Sequence, residues 1–137
     1  MTIILDINFV AFNQYLNSER IKLGRGKYGN TLGAKIKKEQ TELVANCVKS
    51  QGIKPLPKGK YNVWFEWIKP NNRKDHDNIS FSQKFIFDGL QEAGILEDDS
   101  PKFINSLIHT FELDKSQNYV SCIVHFLEVG KKLEINL

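Results

Sequence analysis

Residues 61–93, YNVWFEWIKPNNRKDHDNISFSQKFIFDGLQEA, decide the fold. Over 61–68, Tyr61, Val63, Phe65 and Trp67 alternate with Asn62, Trp64, Glu66 and Ile68, the two-residue period of a strand. Both faces carry apolar side chains, which suits an interior strand covered on one side by helices. A polar, charged connection over 69–77 follows. Ile79, Ser82, Ile86, Leu90 and Ala93 then fall on one stripe, with Phe81 and Phe85 beside it. That spacing predicts a helix over 78–93, and Gly94 stands where a helix ends in a left-handed residue.

Upstream, Ile36, Leu43, Cys47 and Val48 lie close to one helical stripe, so 34–51 reads as an amphipathic helix closed by Gly52. Pro55, Pro57 and Gly59 make a turn. Residues 13–34 hold Gly24, Gly26, Gly29 and Gly33 and no long apolar repeat, and read as a long basic loop. Residues 2–9 are β-branched and apolar, and read as a strand. Downstream, 97–102 is a turn, and 103–113 and 119–129 read as two strands joined in a hairpin at 114–118. The expected architecture is a single α/β (α+β) domain over 1–137: a small mixed β-sheet with two main helices.

At 137 residues the chain is too short for a TIM barrel or a two-half dinucleotide-binding enzyme. Its 41% hydrophobic and 11% aromatic content is enough to bury a core, and excludes a disordered tail. The net charge of +3 hides an asymmetry. Residues 1–60 hold eleven Lys and Arg against four Asp and Glu, and residues 61–137 hold eight against twelve. Arg20, Lys22, Arg25, Lys27, Lys35, Lys37 and Lys38 fall within 20–38 with no acidic residue among them. A phosphate backbone favours the first half, and a metal ion favours clustered carboxylates in the second.

Cys47 and Cys122 sit inside apolar patterns, with no spacing that suggests zinc, and read as core residues in a reducing cytoplasm. No run approaches the length of a membrane span, and the charged start MTIILDINF is unlike a signal peptide.

The chemistry concentrates in 73–99. Asp75 and Asp77 are two apart; in an extended segment their carboxylates would share one side and repel unless a cation lay between them. Mg²⁺, or Mn²⁺ in its place, suits such oxygen donors. The plainer alternative makes Asp77 a helix cap and Asp75 a surface charge. Asp98 and Asp99 sit at a turn, where at most one can join the pair. Lys84 leans toward the helix start and toward these acids, or forms an ordinary pair with Asp88. Asp75–Ile86 is not a calcium loop, because its fifth and twelfth positions are Ile79 and Ile86. Gly24–Gly29 matches a glycine-rich phosphate-loop spacing without the strand and helix that would give it meaning. His76, between the aspartates, reads either as a contact to a phosphate or metal ion or, more plainly, as solvated, and His109 and His125 read as structural.

These elements in order (Arg73-Lys74-Asp75-x-Asp77-Asn78, Lys84-x-x-x-Asp88-x-Leu90, Ala93-Gly94-Ile95-Leu96, then Asp99) resemble the RusA family of Holliday junction resolvases. These are small crossover junction endodeoxyribonucleases of bacteria and their prophages. The surrounding order fits too, including Asn13 and Tyr15 in the basic segment. The resemblance implies that Asp75, Asp77 and Asp99 hold Mg²⁺, with Asp98 as the fallback for Asp99, and that Lys84 is catalytic. It implies a homodimer that cuts two strands of a four-way junction symmetrically in DNA recombination and repair. The motif in its shortest form puts the lysine four residues after the second aspartate. Here Phe81 holds that place and Lys84 comes three later, which reads as an inserted turn near the helix start.

Arg20, Lys22, Arg25, Lys27, Lys35, Lys37, Lys38, Arg73 and Lys74 are expected to grip the DNA backbone without reading sequence. The alternatives are a non-catalytic DNA-binding module of phage origin, a Mn²⁺-dependent nucleotide-sugar transferase and a plain interaction domain.

Overall fold

The computed structural model describes residues 1–10, 12–21 and 31–130. Lys22, Arg25 and Lys27, with the glycine spacing over 24–29, lie outside the described residues. The element order is β1 (Thr2–Leu5), α1 (Phe12–Ser18), α2 (Leu32–Ser50), β2 (Tyr61–Lys69), α3 (His76–Ser80), α4 (Gln83–Glu92), β3 (Ile104–Leu113) and β4 (Ser121–Glu128). The fold is a small mixed α+β domain, as the alternation of patterns predicts.

The four strands form one sheet in the order β1-β4-β2-β3. β2 and β3 are parallel, and the other two pairings are antiparallel. On one face Tyr61, Val63, Phe65 and Trp67 of β2 join Cys122, Val124 and Phe126 of β4 and Ile3 and Leu5 of β1. Val44 and Val48 of α2 and Ile86, Phe87 and Leu90 of α4 pack on that face and complete the core. The other face of β2 is half-buried, so β2 is the interior strand its two-faced apolarity predicts.

Three expectations are corrected. First, 103–113 and 119–129 do not pair as a hairpin, because β2 lies between β3 and β4. The burial of each strand explains the placement. Cys122, Val124 and Phe126 are almost wholly buried and need a central position, whereas Leu107 and Leu113 are more than two-fifths exposed and suit an edge. The link 114–118 also lacks the Gly-containing dipeptide of a tight hairpin. It crosses the end of β2 instead, where the Asp114 N–H donates to the Lys69 carbonyl at 2.8 Å.

Second, α1 (Phe12–Ser18) takes up the start of the loop expected over 13–34. Its local pattern is weak, and tertiary packing holds it: the Tyr15 ring lies 5.2 Å from Phe81 and 5.8 Å from Phe85. Third, the helix expected over 78–93 is two helices, α3 and α4, divided at Phe81 and Ser82. There the ladder tightens to i→i+3 bonds, from the Ser82 N–H to Ile79 and from the Lys84 N–H to Phe81. Ser82 is fully buried and its hydroxyl donates to the Val10 carbonyl at 3.3 Å.

α4 crosses α2 at Gly89. A Cβ there would lie 2.5 Å from Val44 Cβ and 2.8 Å from the Thr41 carbonyl oxygen, so the helices approach too closely for any side chain. Gly94, at φ +75°, ends α4 as its position predicts. Cys122 is buried, Cys47 is partly so, and both are free thiols.

Candidate functional site

The break between α3 and α4 opens a cleft of about 470 Å³ against the edge strand β3. Asp77, Ser80, Phe81, Gln83 and Lys84 form one wall, and Leu107 and His109 the other. Alternation along β3 puts His109 opposite Phe65 and Phe111 opposite Trp67, on the helix-covered face of the sheet.

Lys84, in the first turn of α4, reaches two carboxylates: Asp88 Oδ1 at 3.2 Å and Asp99 Oδ2 at 3.7 Å. Both readings of Lys84 therefore hold in part, the i,i+4 pair with Asp88 and the contact with the distant acidic turn. Of the two aspartates at that turn, Asp99 makes the ion pair. The hydrogen bond to Asp88 raises the Lys84 pKa above its ordinary 10.5, burial opposes this, and the charges of Asp88 and Asp99 add to it. Lys84 is thus a fixed cation at neutral pH and not a proton acceptor.

Asp75 and Asp77 do not lie in one extended segment. The helix begins earlier than the apolar stripe predicts, because the Ile79 N–H donates to the Asp75 carbonyl at 3.3 Å. Asp75 occupies the N-cap position without a side-chain cap bond, and Asp77 stands in the first turn of α3. Asp77 Oδ1 accepts from the Asn78 N–H at 3.0 Å. Both aspartates are exposed, and Asp77 lines the cleft.

Among the described residues, no group of three or more His, Cys, Asp or Glu side chains stands close enough together to hold a metal ion. Asp75, Asp77 and Asp99 are therefore not assembled as one ligand set, and Asp99 is paired with Lys84 instead. The chemistry of the donors still suits a hard cation. They are carboxylate oxygens, and Asp99 with Asp88 already draws an ammonium group to the cleft.

His76 is exposed and His109 is packed against core rings, as the sequence reading has them, but their ring contacts were not legible. His76 is stacked on Phe111, with centroids 3.7 Å apart, and its Nε2 lies 3.3 Å from Lys69 Nζ. An ammonium has no lone pair, so Lys69 donates and His76 Nε2 accepts. His109 accepts at Nδ1 from the Trp67 indole N–H at 3.0 Å and is held lower than an ordinary histidine pKa by burial. The alternation of Leu107, His109 and Phe111 was visible in the sequence. The pairing that turns them toward the helices was not.

Of the basic residues, Arg20, Lys35, Lys37, Lys38, Arg73 and Lys74 are exposed. Arg73 and Lys74 immediately precede Asp75, and Lys35 makes a surface pair with Glu39 at 3.8 Å. Tyr15 is a packing residue, and its hydroxyl, hydrogen-bonded to Glu19, has its pKa pushed up to about 12. No described helix is long and apolar enough to cross a membrane. No known family model matches the chain, and no curated protein matches it.

Proposed function

We propose that the protein is a Mg²⁺-dependent, structure-selective endodeoxyribonuclease that resolves four-way DNA junctions by paired, symmetric cleavage, acting as a homodimer. The observation that carries this reading is the bridging of Lys84 between Asp88 and Asp99 beside a cleft that Asp77 also lines. The order of motifs over 73–99 and the exposed basic residues on the same chain support it.

Asp77 and Asp99, with Asp75 at the helix start, would hold the metal ion. Once bound, the ion supplies an acidified water and charge neutralisation at the phosphate. Lys84, kept protonated by its acidic neighbours, offsets the negative charge that grows on the phosphoryl oxygens or the leaving oxygen. Arg73 and Lys74 are placed by sequence to hold a strand next to the aspartates. Arg20, Lys35, Lys37 and Lys38 contribute backbone contacts that set affinity and not sequence choice. A two-fold enzyme matches the two-fold symmetry of the junction.

The second reading, a non-catalytic DNA-binding module, is favoured by one observation: the carboxylates of the described residues are not gathered into a ready metal site. One assay separates the two. A synthetic four-way junction and a linear duplex are incubated with the protein in Mg²⁺ or in EDTA. Paired symmetric cuts in the junction alone, and only with Mg²⁺, are expected. Junction binding without cutting selects the module, and the absence of both rejects the nucleic-acid assignment.

A further inference from the structure

We propose that His109 supplies a fixed, neutral N–H donor, its Nε2–H, to a phosphoryl oxygen of the strand seated in the cleft, an assignment that rests on the nuclease reading above and adds a substrate contact to it. The position of the proton follows from the partner. The Trp67 indole nitrogen can only donate, and it donates to His109 Nδ1 at 3.0 Å. Nδ1 must then carry the lone pair, which leaves the ring proton on Nε2.

The ring is also fixed in direction. It lies parallel to Phe65, with centroids 4.9 Å apart and planes 9° apart, and parallel to Trp67 at 6.3 Å. Phe65 and Trp67 are both fully buried, so this support is part of the core and does not move with solvent. The histidine thus reaches the cleft wall on a rigid base, opposite Asp77 and Lys84.

Its chemistry complements Lys84. The ammonium brings charge, whereas His109 brings a hydrogen bond without charge, because burial keeps the imidazole neutral near pH 7. A phosphoryl group presents several acceptor oxygens and can take both donors. A metal ion has no claim on the same ring: Nδ1 is committed to Trp67, and a protonated Nε2 has no lone pair to give. The acceptor that fits an N–H donor in a cleft shared with a lysine is an anionic oxygen.

The test uses His109→Ala, His109→Asn and His109→Gln in the full chain, with a synthetic four-way junction. A glutamine amide can place an N–H where Nε2–H stands, whereas an asparagine amide falls short, near Nδ1. Removing one such donor typically costs about 100-fold or more in rate. The Ala and Asn variants should lose kcat/KM on that scale with the Mg²⁺ concentration for half-activation unchanged, and Gln should restore most of it. Wild-type rates in all three variants would overturn the inference and leave the nuclease reading intact. Should the wild-type protein cut nothing, the nuclease reading fails, and histidine-ring ¹H–¹⁵N NMR decides the inference without any variant. A His109 Nε2–H resonance that shifts when the junction is added in EDTA supports it, and one that stays in place overturns it.

Discussion

The imidazole of His76 lies flat against the ring of Phe111, with centroids 3.7 Å apart and planes 6° apart. His76 stands between Asp75 and Asp77, so this stack and the bond from Lys69 fasten the aspartate segment to the ends of β2 and β3. Lys69 is only 7% exposed, which makes it a firm anchor from the sheet side.

If the segment is positioned this way, Phe111→Leu should weaken cleavage without unfolding the protein, because Phe111 is a half-buried edge residue. Loss of a supporting contact behind metal ligands typically costs about 10–100-fold in metal affinity or activity. The expected result is a higher Mg²⁺ requirement, with Phe111→Tyr restoring the wild-type value. An unchanged Mg²⁺ titration for Phe111→Leu would reduce the stack to packing.

The aspartates and Lys84 separate by their effect on metal. Asp75→Asn and Asp77→Asn should abolish cleavage yet keep junction binding, and full cleavage by both would refute the metal assignment. Lys84→Ala should slow cleavage by about 100-fold, the scale of a lost transition-state contact. It should also tighten Mg²⁺ binding, because Asp99 loses the ammonium that competes for its oxygens. An unaffected rate would leave Lys84 as a surface pair with Asp88. Isothermal titration and single-turnover cutting read the two effects.

The interior strand was legible because its alternation has no competing pattern: Tyr61, Val63, Phe65 and Trp67 are all buried, as the sequence predicts. The helix over 78–93 was legible as a helix but not as two, since the break depends on Ser82 reaching Val10, a partner 72 residues away. The strand order was not legible. Two adjacent strands with a polar link read locally as a hairpin, and only the burial of Cys122, Val124 and Phe126 against β1 and β2 puts β4 in the centre. At the site, the one-dimensional motif picked out Lys84 and Asp99, which the fold brings to 3.7 Å. It could not show that His109 lines the cleft, a placement that depends on the parallel pairing of β2 with β3.

Gly89 should tolerate no side chain. Alanine gains about 1 kcal/mol over glycine in helix propensity, which alone predicts stabilisation. Overpacking a core costs about 1–3 kcal/mol, and here the obstacles are the Val44 Cβ at 2.5 Å and the Thr41 carbonyl at 2.8 Å, atoms anchored to the backbone of α2. The clash prevails, so Gly89→Ala should lower the urea midpoint, and Gly89→Leu should prevent folding. A raised midpoint for Gly89→Ala would mean that α2 and α4 separate easily.

Stability should fall on mild acidification. Burial lowers the folded-state pKa of His109 below its ordinary 6.5, and burial does the same for His125, with Glu66 opposing. As pH drops through about 6.5 the unfolded chain takes up protons that the folded protein resists, so unfolding is favoured until pH falls below the folded values. For His109 protonation would also break the bond from Trp67. The urea midpoint should therefore be lower near pH 5 than near pH 7.5, and His109→Gln should flatten part of that dependence. A variant with the full wild-type pH slope would assign the effect to His125 and other groups.

Junction binding should be strongly salt-dependent. The exposed cations Arg20, Lys35, Lys37, Lys38, Arg73 and Lys74 are enough to engage several phosphates at once. With six or more phosphate contacts, raising salt from about 50 to 200 mM weakens binding by roughly 1,000-fold or more. Each cation that touches a phosphate contributes about one unit to the slope of log affinity against log salt. Lys74→Ala, next to Asp75, should therefore lower both affinity and slope for junctions of any sequence. Lys35→Ala should do less, because Lys35 already shares its charge with Glu39 at 3.8 Å. Fluorescence anisotropy with a labelled junction in EDTA measures both without cleavage. A flat salt response in the wild-type protein would remove these side chains from the interface and, with them, the electrostatic basis for a DNA substrate.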